Sequence, residues 1–282
     1  MIPRVSKRKR GRPRSAGLAT VFGLTALAVV DLVPVYLVLR QALAPEADSV
    51  AWPLHWWPSR FSLSNLSHLW QGQPLLGNVL LSFFVATATT FLSLSLGIPA
   101  GWSAARLRRV EGTAPSVAIL SRVLPPIVIA VPLTSLLIPL RLYNHPFGLG
   151  LVLAHLTIGI PVAILLSYAG FRDLPRELEE AAYVDGAGTL RTLFLVSLPA
   201  ARGTVAAAAI LVFLLSWDEF TYALLIQLTH RTLPPLIYYF TEYGELGTAS
   251  ALALLMLVPA TLVILGMQRL IARGLTTGVV KG

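Results

Sequence analysis

The chain has 282 residues, of which 55% are hydrophobic and 12% are charged, and its mean hydropathy is +0.72. A soluble core of this length cannot hide so much apolar surface, so the composition excludes an ordinary soluble protein and indicates a membrane protein. The net charge is +9 and there is no cysteine. The absence of cysteine excludes disulfides, thiolate catalysis and cysteine-based metal sites.

Six runs of about 20 largely apolar residues are long enough to cross a bilayer as helices. They are residues 18–39, 79–104, 123–140, 149–170, 205–226 and 249–270. The sequence therefore predicts an all-α, polytopic membrane protein with six transmembrane helices. Residues 1–17 are predicted to form a basic cytoplasmic tail, and residues 18–282 a single transmembrane domain.

Basic residues give the predicted orientation, because Lys and Arg accumulate in cytoplasmic loops. With the N-terminus inside, the inner segments hold 18 of the 22 Lys and Arg, Arg122 among them, and the outer segments hold four. The basic run SKRKRGRPR directly before the first span favours a role in topology over nucleic-acid binding. We therefore predict that both termini are cytoplasmic, that the lipid bilayer is a partner and that nucleic acid is not.

Polar residues inside the predicted spans are candidate positions on a solute path, because unpaired polar groups in lipid are costly. Asp31 lies in the middle of the first span, and it is either a hydrogen-bonding group that faces the bundle or a pathway residue. Trp217, Asp218, Glu219 and Tyr222 fall toward the outer end of the fifth span. They fit contact with a hydroxylated solute and an aromatic belt at the membrane interface equally well.

A segment with eight charged residues, 171–199, separates the fourth and fifth predicted spans. It must face water, because one ionic side chain at the bilayer centre costs about 2.5–3.5 kcal/mol on insertion scales. We predict two short helices here, with Asp185-Gly186 ending the first and Thr189 capping the second. The segment 171–202 is thus expected to form a cytoplasmic helix-turn-helix.

The same segment carries a spaced set of identities that ends in Leu198-Pro199. The set begins with Glu180, Ala181, Ala182, Asp185, Gly186 and Ala187. It resembles the EAA loop of binding-protein-dependent ABC importer permeases. The stretches 124–126 and 217–220 and the C-terminal GLTTGVVKG of residues 274–282 are similar to the carbohydrate branch of that family, in its maltose-type second permease subunit.

The resemblance implies that the first helix of the loop docks in a cleft of a separate cytoplasmic ATPase, through the six residues from Glu180 to Ala187. It also implies a heterodimer with a second permease subunit, two ATPase subunits that hold ATP-Mg, an extracytoplasmic solute-binding protein, and a place in the bacterial inner membrane. The implied function is carbohydrate import by alternating access. Because the sequence has no G-x-x-x-x-G-K-[ST] motif, we expect a transporter subunit without its own ATPase site, catalytic residue, cofactor or metal.

Other interpretations fit parts of the sequence. The same architecture can import a different small polar solute, such as a polyamine or glycerol phosphate. An ion-coupled secondary transporter needs ionisable residues within its spans and often paired repeats, whereas only Asp31 lies deep in a predicted span and no repeat is present. For the loop, the alternative is an amphipathic helix that lies on the headgroups. His145 and His155 lack the spacing of metal ligands and are interpreted as structural.

Overall fold

The computed structural model describes residues 14–49, 51–53, 55–72, 74–107 and 113–276, and the regular structure within these ranges is helical. The helices are α1 (Arg14–Ala42), α2 (Glu46–Ser49), α3 (Ser64–Gly72), α4 (Leu75–Arg106), α5 (Thr113–Ser121), α6 (Pro126–Leu137), α7 (Leu149–Arg172), α8 (Glu177–Val184), α9 (Thr189–Thr192), α10 (Leu198–Ala200), α11 (Arg202–Trp217), α12 (Thr221–Ile226), α13 (Leu233–Glu242) and α14 (Leu246–Thr276), with a π-helical turn at Leu193–Ser197. Most of the predicted basic tail and residues 277–282 of the C-terminal pattern lie outside the described residues.

Four of these helices, α1, α4, α7 and α14, contain stretches long and apolar enough to cross a membrane. Two more candidates are bent pairs: α5 with α6, at 89°, and the segment 189–200 with α11, at 84°. The described part of the chain therefore has four candidate spans, or up to six if each bent pair is one span. The predicted all-α, multi-span class is confirmed, but the third and fifth predicted spans are broken.

The third predicted span, 123–140, contains α6, and a further apolar helix, α5, precedes it from Thr113. Arg122 lies in the break between α5 and α6, and its assignment to the inner side stays a prediction. Pro125 and Pro126 explain the break, because each lacks a backbone N–H and disfavours helical backbone at the residue before it. Pro126 then starts α6, where the missing N–H costs little.

The fifth predicted span, 205–226, is interrupted near its C-terminal end. Helix α11 ends at Trp217 and α12 starts at Thr221. The break is stabilised by Glu219, whose carboxylate accepts hydrogen bonds from the first backbone N–H groups of α12. Those groups have no partner inside the helix, so a carboxylate just before it favours a new start.

Helix α7 lies at the centre of the bundle, packed on α4 and α11. Small residues allow this close approach: Gly97 of α4 meets Ala163 of α7, and a Cβ on Gly101 would lie 2.7 Å from the Cβ of Ser167. Helix α14 packs on the other side of α11. Together, α4, α7, α11 and α14 form a bundle against which the shorter helices are placed.

Helix α1 differs from the other long helices, because none of its apolar window is buried, whereas 44% of that of α7 is. It contacts α14 and α2, and Ala42 at its C-terminal end is buried. Asp31 is exposed, so the structure does not support the alternative in which its carboxylate faces the bundle of this chain. The long apolar surface of α1 is presented to lipid or to another subunit.

Candidate functional site

Residues 171–202 fold into a helical hairpin, which consists of α8, the turn 185–188 and the helical segment 189–200. Helix α8 ends in a Schellman motif, in which the Gly186 N–H donates to the Tyr183 carbonyl at 3.0 Å and the Ala187 N–H to the Ala182 carbonyl at 2.9 Å. Gly186 has φ +81°, a conformation that residues with a Cβ rarely adopt. The predicted end of the first helix is confirmed.

The second half of the hairpin begins without the predicted side-chain cap. Gly188 precedes the helix in an extended conformation, Thr189 is already helical, and no side chain caps this end, so the predicted capping role of Thr189 is wrong. The π-helical turn Leu193–Ser197 then inserts an extra residue into the helical register. As a result, Leu193 is buried while Phe194 is exposed.

Glu179 fixes the hairpin to the C-terminal end of α4. Its carboxylate accepts hydrogen bonds from Trp102 Nε1 at 3.0 Å, Arg106 Nε at 2.7 Å and Ser197 Oγ at 2.6 Å. The side chains of Glu179 and Arg106 are 6% and 10% exposed, so their ion pair is nearly buried. Ser197 belongs to the second half of the hairpin, and one carboxylate therefore connects both halves to α4.

These contacts change the acidity of Glu179 in opposite directions. Burial raises the pKa of the carboxyl group, but the hydrogen bonds from Arg106, Ser197 and Trp102 and the charge of Arg106 lower it by more. The net effect is a pKa below the usual value for glutamate, so the group is ionised near neutral pH. The hydrogen bonds that anchor the hairpin to α4 therefore involve an ionised carboxylate, which makes them stronger than hydrogen bonds between neutral groups.

The opposite face of α8 is open. Glu180, Ala181, Asp185 and Gly186 are exposed, and Ala182 and Ala187 are half-buried. Large apolar side chains surround this face, with Leu178, Tyr183, Val184, Leu190, Phe194 and Leu195 all more than 40% exposed. Exposed apolar side chains grouped on a charged hairpin are typical of a surface that another protein covers.

A cavity of about 490 Å³ lies where the two broken segments face each other. Its walls come from the break between α5 and α6, from α7, and from the region where α11 ends and α12 begins. Arg122, Thr157, Glu219 and Tyr222 line it together with apolar side chains such as Ile129. Irregular backbone in a membrane protein is tolerated where it lines such a cavity.

Glu219 is held from several directions within the cavity wall. Its carboxylate accepts the backbone N–H groups of Thr221 at 2.8 Å, Tyr222 at 2.9 Å and Ala223 at 3.3 Å. His155 Nε2 lies 3.3 Å from the carboxylate, and His155 Nδ1 is 2.7 Å from Ser216 Oγ. The interpretation of His155 as structural agrees with this geometry, in which the imidazole is buried and hydrogen-bonded to Ser216.

Two hydroxyl groups and one guanidinium complete the polar lining. The Tyr222 hydroxyl is 2.9 Å from Thr157 Oγ1, and Thr157 also donates to the Ala154 carbonyl at 2.7 Å. Arg122 projects from the break between α5 and α6, and none of the described residues offers it a carboxylate within ion-pair distance. Hydroxyl groups, one cation and apolar side chains thus share one chamber.

Comparison with known proteins identifies the family of this chain. The sequence profile described as "Binding-protein-dependent transport system inner membrane component" matches residues 97–277, more than half of the chain. The chain belongs to this family. It is a permease subunit of an ABC importer, with apolar helices that cross the inner membrane several times.

Individual relatives match most of the permease. It is 32% identical, over 91% of both chains, to the permease protein SmoH of a sulfoquinovosyl glycerol transport system from Agrobacterium fabrum. It is 30% identical to the trehalose transport system permease protein SugB of Mycobacterium tuberculosis, over 89% of this chain and 93% of that protein. A bacterial ABC transporter that imports the acidic polysaccharide alginate has the same fold, with a TM-score of 0.71, 17% identity and coverage of 93% of this chain and 99% of that one.

The predicted pathway residues of the permease do not all lie together. Glu219 and Tyr222 border the large cavity, and the Tyr222 side chain is fully buried in its wall. Trp217 is buried, stacks on Phe213 and donates from Nε1 to the Met256 carbonyl of α14 at 3.3 Å. Asp218 is exposed and lines a separate, shallower cleft against α14. Asp31 is on α1, away from both.

Several residues of these sites were missed from the sequence. In the hairpin anchor they are Glu179, Trp102, Arg106 and Ser197, and in the cavity Arg122 and Thr157. One sequence signal could have found Arg122, because it is a charge within an apolar stretch beside two prolines. Glu179 gave no such signal, since its neighbour Glu180 is chemically identical and only tertiary packing separates the two.

Proposed function

We propose that this permease imports a carbohydrate, as one half of a heterodimer with a second permease subunit and with solute delivered by an extracytoplasmic binding protein. Two relatives bear the names of glycosidic solutes, sulfoquinovosyl glycerol and trehalose. The hydroxyl group of the half-buried Thr157 beside apolar side chains also suits a sugar ring, which offers hydroxyl groups at its edge and C–H groups on its faces. The observation that carries the proposal is the hairpin, which is anchored on one face and exposed on the other.

We infer that two cytoplasmic ATPase subunits supply the energy and hold the ATP-Mg. Glu180, Ala181, Ala182, Asp185, Gly186 and Ala187 are the proposed docking residues. Alanine side chains permit close backbone approach, and the exposed Glu180 carboxylate can pair with a cation of the ATPase. When the ATPase subunits close on ATP, the hairpin moves with them, and the Glu179 contacts transmit the movement to α4.

The proposed orientation has both termini and the hairpin in the cytoplasm. It is supported by the concentration of Lys and Arg in the segments assigned to that side. Removing Arg122 from that set does not reverse the asymmetry, because four basic residues in total were assigned to the outer side. The basic residues near the N-terminus are then placed to contact anionic lipid headgroups.

For the solute path, we propose Glu219 and Tyr222 as the residues of this subunit that face the solute chamber. Trp217 and Asp218 lie at the α14 side, and Asp31 lies on the exposed surface of α1. A pathway role for these three residues requires that the second permease contribute the facing wall.

The test is ATP-dependent uptake by the complete assembly in proteoliposomes, with its binding protein present. Gly186→Val and Glu180→Lys are expected to abolish uptake while both permeases still insert. Gly188→Val is the matched control, because a Cβ at either glycine meets no atom within 4 Å but Gly188 has φ −75° where Gly186 has +81°. Normal uptake by both Gly186→Val and Glu180→Lys, or full uptake without the ATPase, refutes the proposal.

A further inference from the structure

The guanidinium of Arg122 is the one charge of the cavity wall that the described residues leave uncompensated. The other charged group there, Glu219, accepts three backbone N–H groups. The Arg122 side chain is exposed at the cavity wall, so its guanidinium is accessible to an anion in the cavity. Arg122 therefore has the position of a binding group.

The backbone around Arg122 is also arranged as a binding site. It lies in the 89° break between α5 and α6, and it faces the second break, where α11 ends and α12 begins. Broken helices that meet across a cavity are where transporters commonly hold their solutes. The cavity, at about 490 Å³, is in the size range of small-molecule sites, which is roughly 300–1,000 Å³.

The remaining lining restricts the chemistry of the occupant. Thr157 and Tyr222 place two hydroxyl groups 2.9 Å apart, and Leu215 and Ile158 add apolar surface. Hydroxyl groups donate and accept hydrogen bonds, as the hydroxyl groups of a sugar require. A guanidinium forms paired hydrogen bonds with a carboxylate or a sulfonate, which a neutral sugar lacks.

We propose that the cavity is a solute subsite for an acidic carbohydrate, in which Arg122 binds the anionic group and Thr157, positioned by the hydroxyl of the buried Tyr222, binds a ring hydroxyl. This inference rests on the proposed function and narrows its substrate class. It assigns the selection of charge to this permease subunit, in addition to any selection by the binding protein.

The experiment measures binding of 4-nitrophenyl β-glucuronide and 4-nitrophenyl β-glucoside to the complete assembly in nanodiscs, without the binding protein. The two probes share the ring and the aglycone and differ in the carboxylate. We expect the glucuronide to bind about ten- to a hundredfold more tightly, the range expected for a charge-assisted hydrogen bond. Arg122→Gln should remove this preference, and Arg122→Lys should retain part of it.

Arg141→Gln is the matched control, because Arg141 is an exposed arginine outside the cavity lining, and it should keep the full preference. Equal or absent binding of the two probes to the wild-type assembly overturns the inference, and so does a preference that persists in Arg122→Gln. Loss of the second permease from the Arg122→Gln assembly also overturns it, since Arg122 would then pair with a carboxylate of that subunit. ATP-dependent uptake of neutral sugars alone contradicts only this inference, whereas the absence of ATP-dependent uptake contradicts the proposed function.

Discussion

Two buried carboxylates, Glu179 in the hairpin and Glu219 in the cavity wall, are satisfied in different ways. Glu179 accepts hydrogen bonds from side chains of two other segments, Trp102 and Arg106 of α4 and Ser197 of the π-helical turn. Glu219 accepts backbone N–H groups of its own chain within four residues and has His155 beside it. The first carboxylate joins distant elements, whereas the second shapes a local break.

This difference between Glu179 and Glu219 fits the two proposed roles, a contact that transmits movement and a wall of a binding cavity. A carboxylate shared by α4 and both halves of the hairpin ties these elements together, as the proposed transmission of movement from the ATPase requires. A carboxylate held by local backbone stabilises the helix break beside the cavity, where Thr157 is half-buried and Tyr222 lies buried behind it. Mutations at the two sites should therefore have effects of different kinds, on coupling at Glu179 and on solute binding at the cavity.

The largest expected effect is from Glu179→Ala. The substitution leaves the nearly buried guanidinium of Arg106 without its partner. Removing one partner of a buried ion pair destabilises the fold by about 3–5 kcal/mol. We expect a lower thermal unfolding temperature and ATP hydrolysis that no longer produces uptake. The exposed Glu177 on the same helix is the control site, and Glu177→Ala should leave both measurements near wild type. Equal behaviour of the two variants would mean that Glu179 is no anchor.

A smaller effect is expected from Glu219→Ala, which removes the acceptor of the first N–H groups of α12. Loss of a helix cap costs about 0.5–2 kcal/mol. Glu219→Gln keeps a carbonyl acceptor and should recover part of the stability. Thermal unfolding of the purified assembly tests the order wild type, Gln variant, Ala variant, and the reverse order would contradict the capping role.

Tyr222→Phe should change stability least among the cavity variants but alter solute binding. The ring stays in place and a hydroxyl–hydroxyl contact worth about 0.5–1.5 kcal/mol is removed. We expect the KM for uptake to rise a few-fold to about tenfold with little change in unfolding temperature. Tyr143→Phe, in the turn before α7, is the control and should leave KM unchanged. An unchanged KM in Tyr222→Phe would place the solute elsewhere.

The stabilisation of the fold by the Glu179–Arg106 ion pair should not change with pH near neutrality and should decrease in acid. The pKa of Glu179 is lowered by its partners in the folded state, so the ion pair stabilises the fold above the unfolded pKa of glutamate, about 4.3. This stabilisation is lost as the pH falls through the folded-state pKa. Unfolding temperatures of wild type and Glu179→Gln should differ at pH 7 and converge in acid. A constant difference would contradict the ionised anchor.

The sequence predicted the spans from their apolar runs, and it located the hairpin from its charges and the Asp185-Gly186 turn. It did not predict the break at 218–220, because an acidic residue near the end of an apolar run fits both a helix end and a cap for a new helix. It also did not separate Glu179 from Glu180. Both carboxylates lie on one short helix, and only the docking of α8 against Trp102 and Arg106 decides which one is buried.

Thiol labelling tests directly whether the exposed face of the hairpin docks on a cytoplasmic ATPase. Because the chain has no cysteine, Ala181→Cys introduces a unique thiol on that face, and Ser64→Cys introduces one on α3 in the segment assigned to the outer side. We expect a membrane-impermeant maleimide to label the Ala181→Cys variant in inside-out vesicles stripped of ATPase, and added ATPase subunits to block this labelling. Only Ser64→Cys should be labelled in right-side-out vesicles. Labelling of the Ala181→Cys variant from the outer side, or labelling unaffected by the ATPase subunits, would show that this face does not dock on a cytoplasmic ATPase.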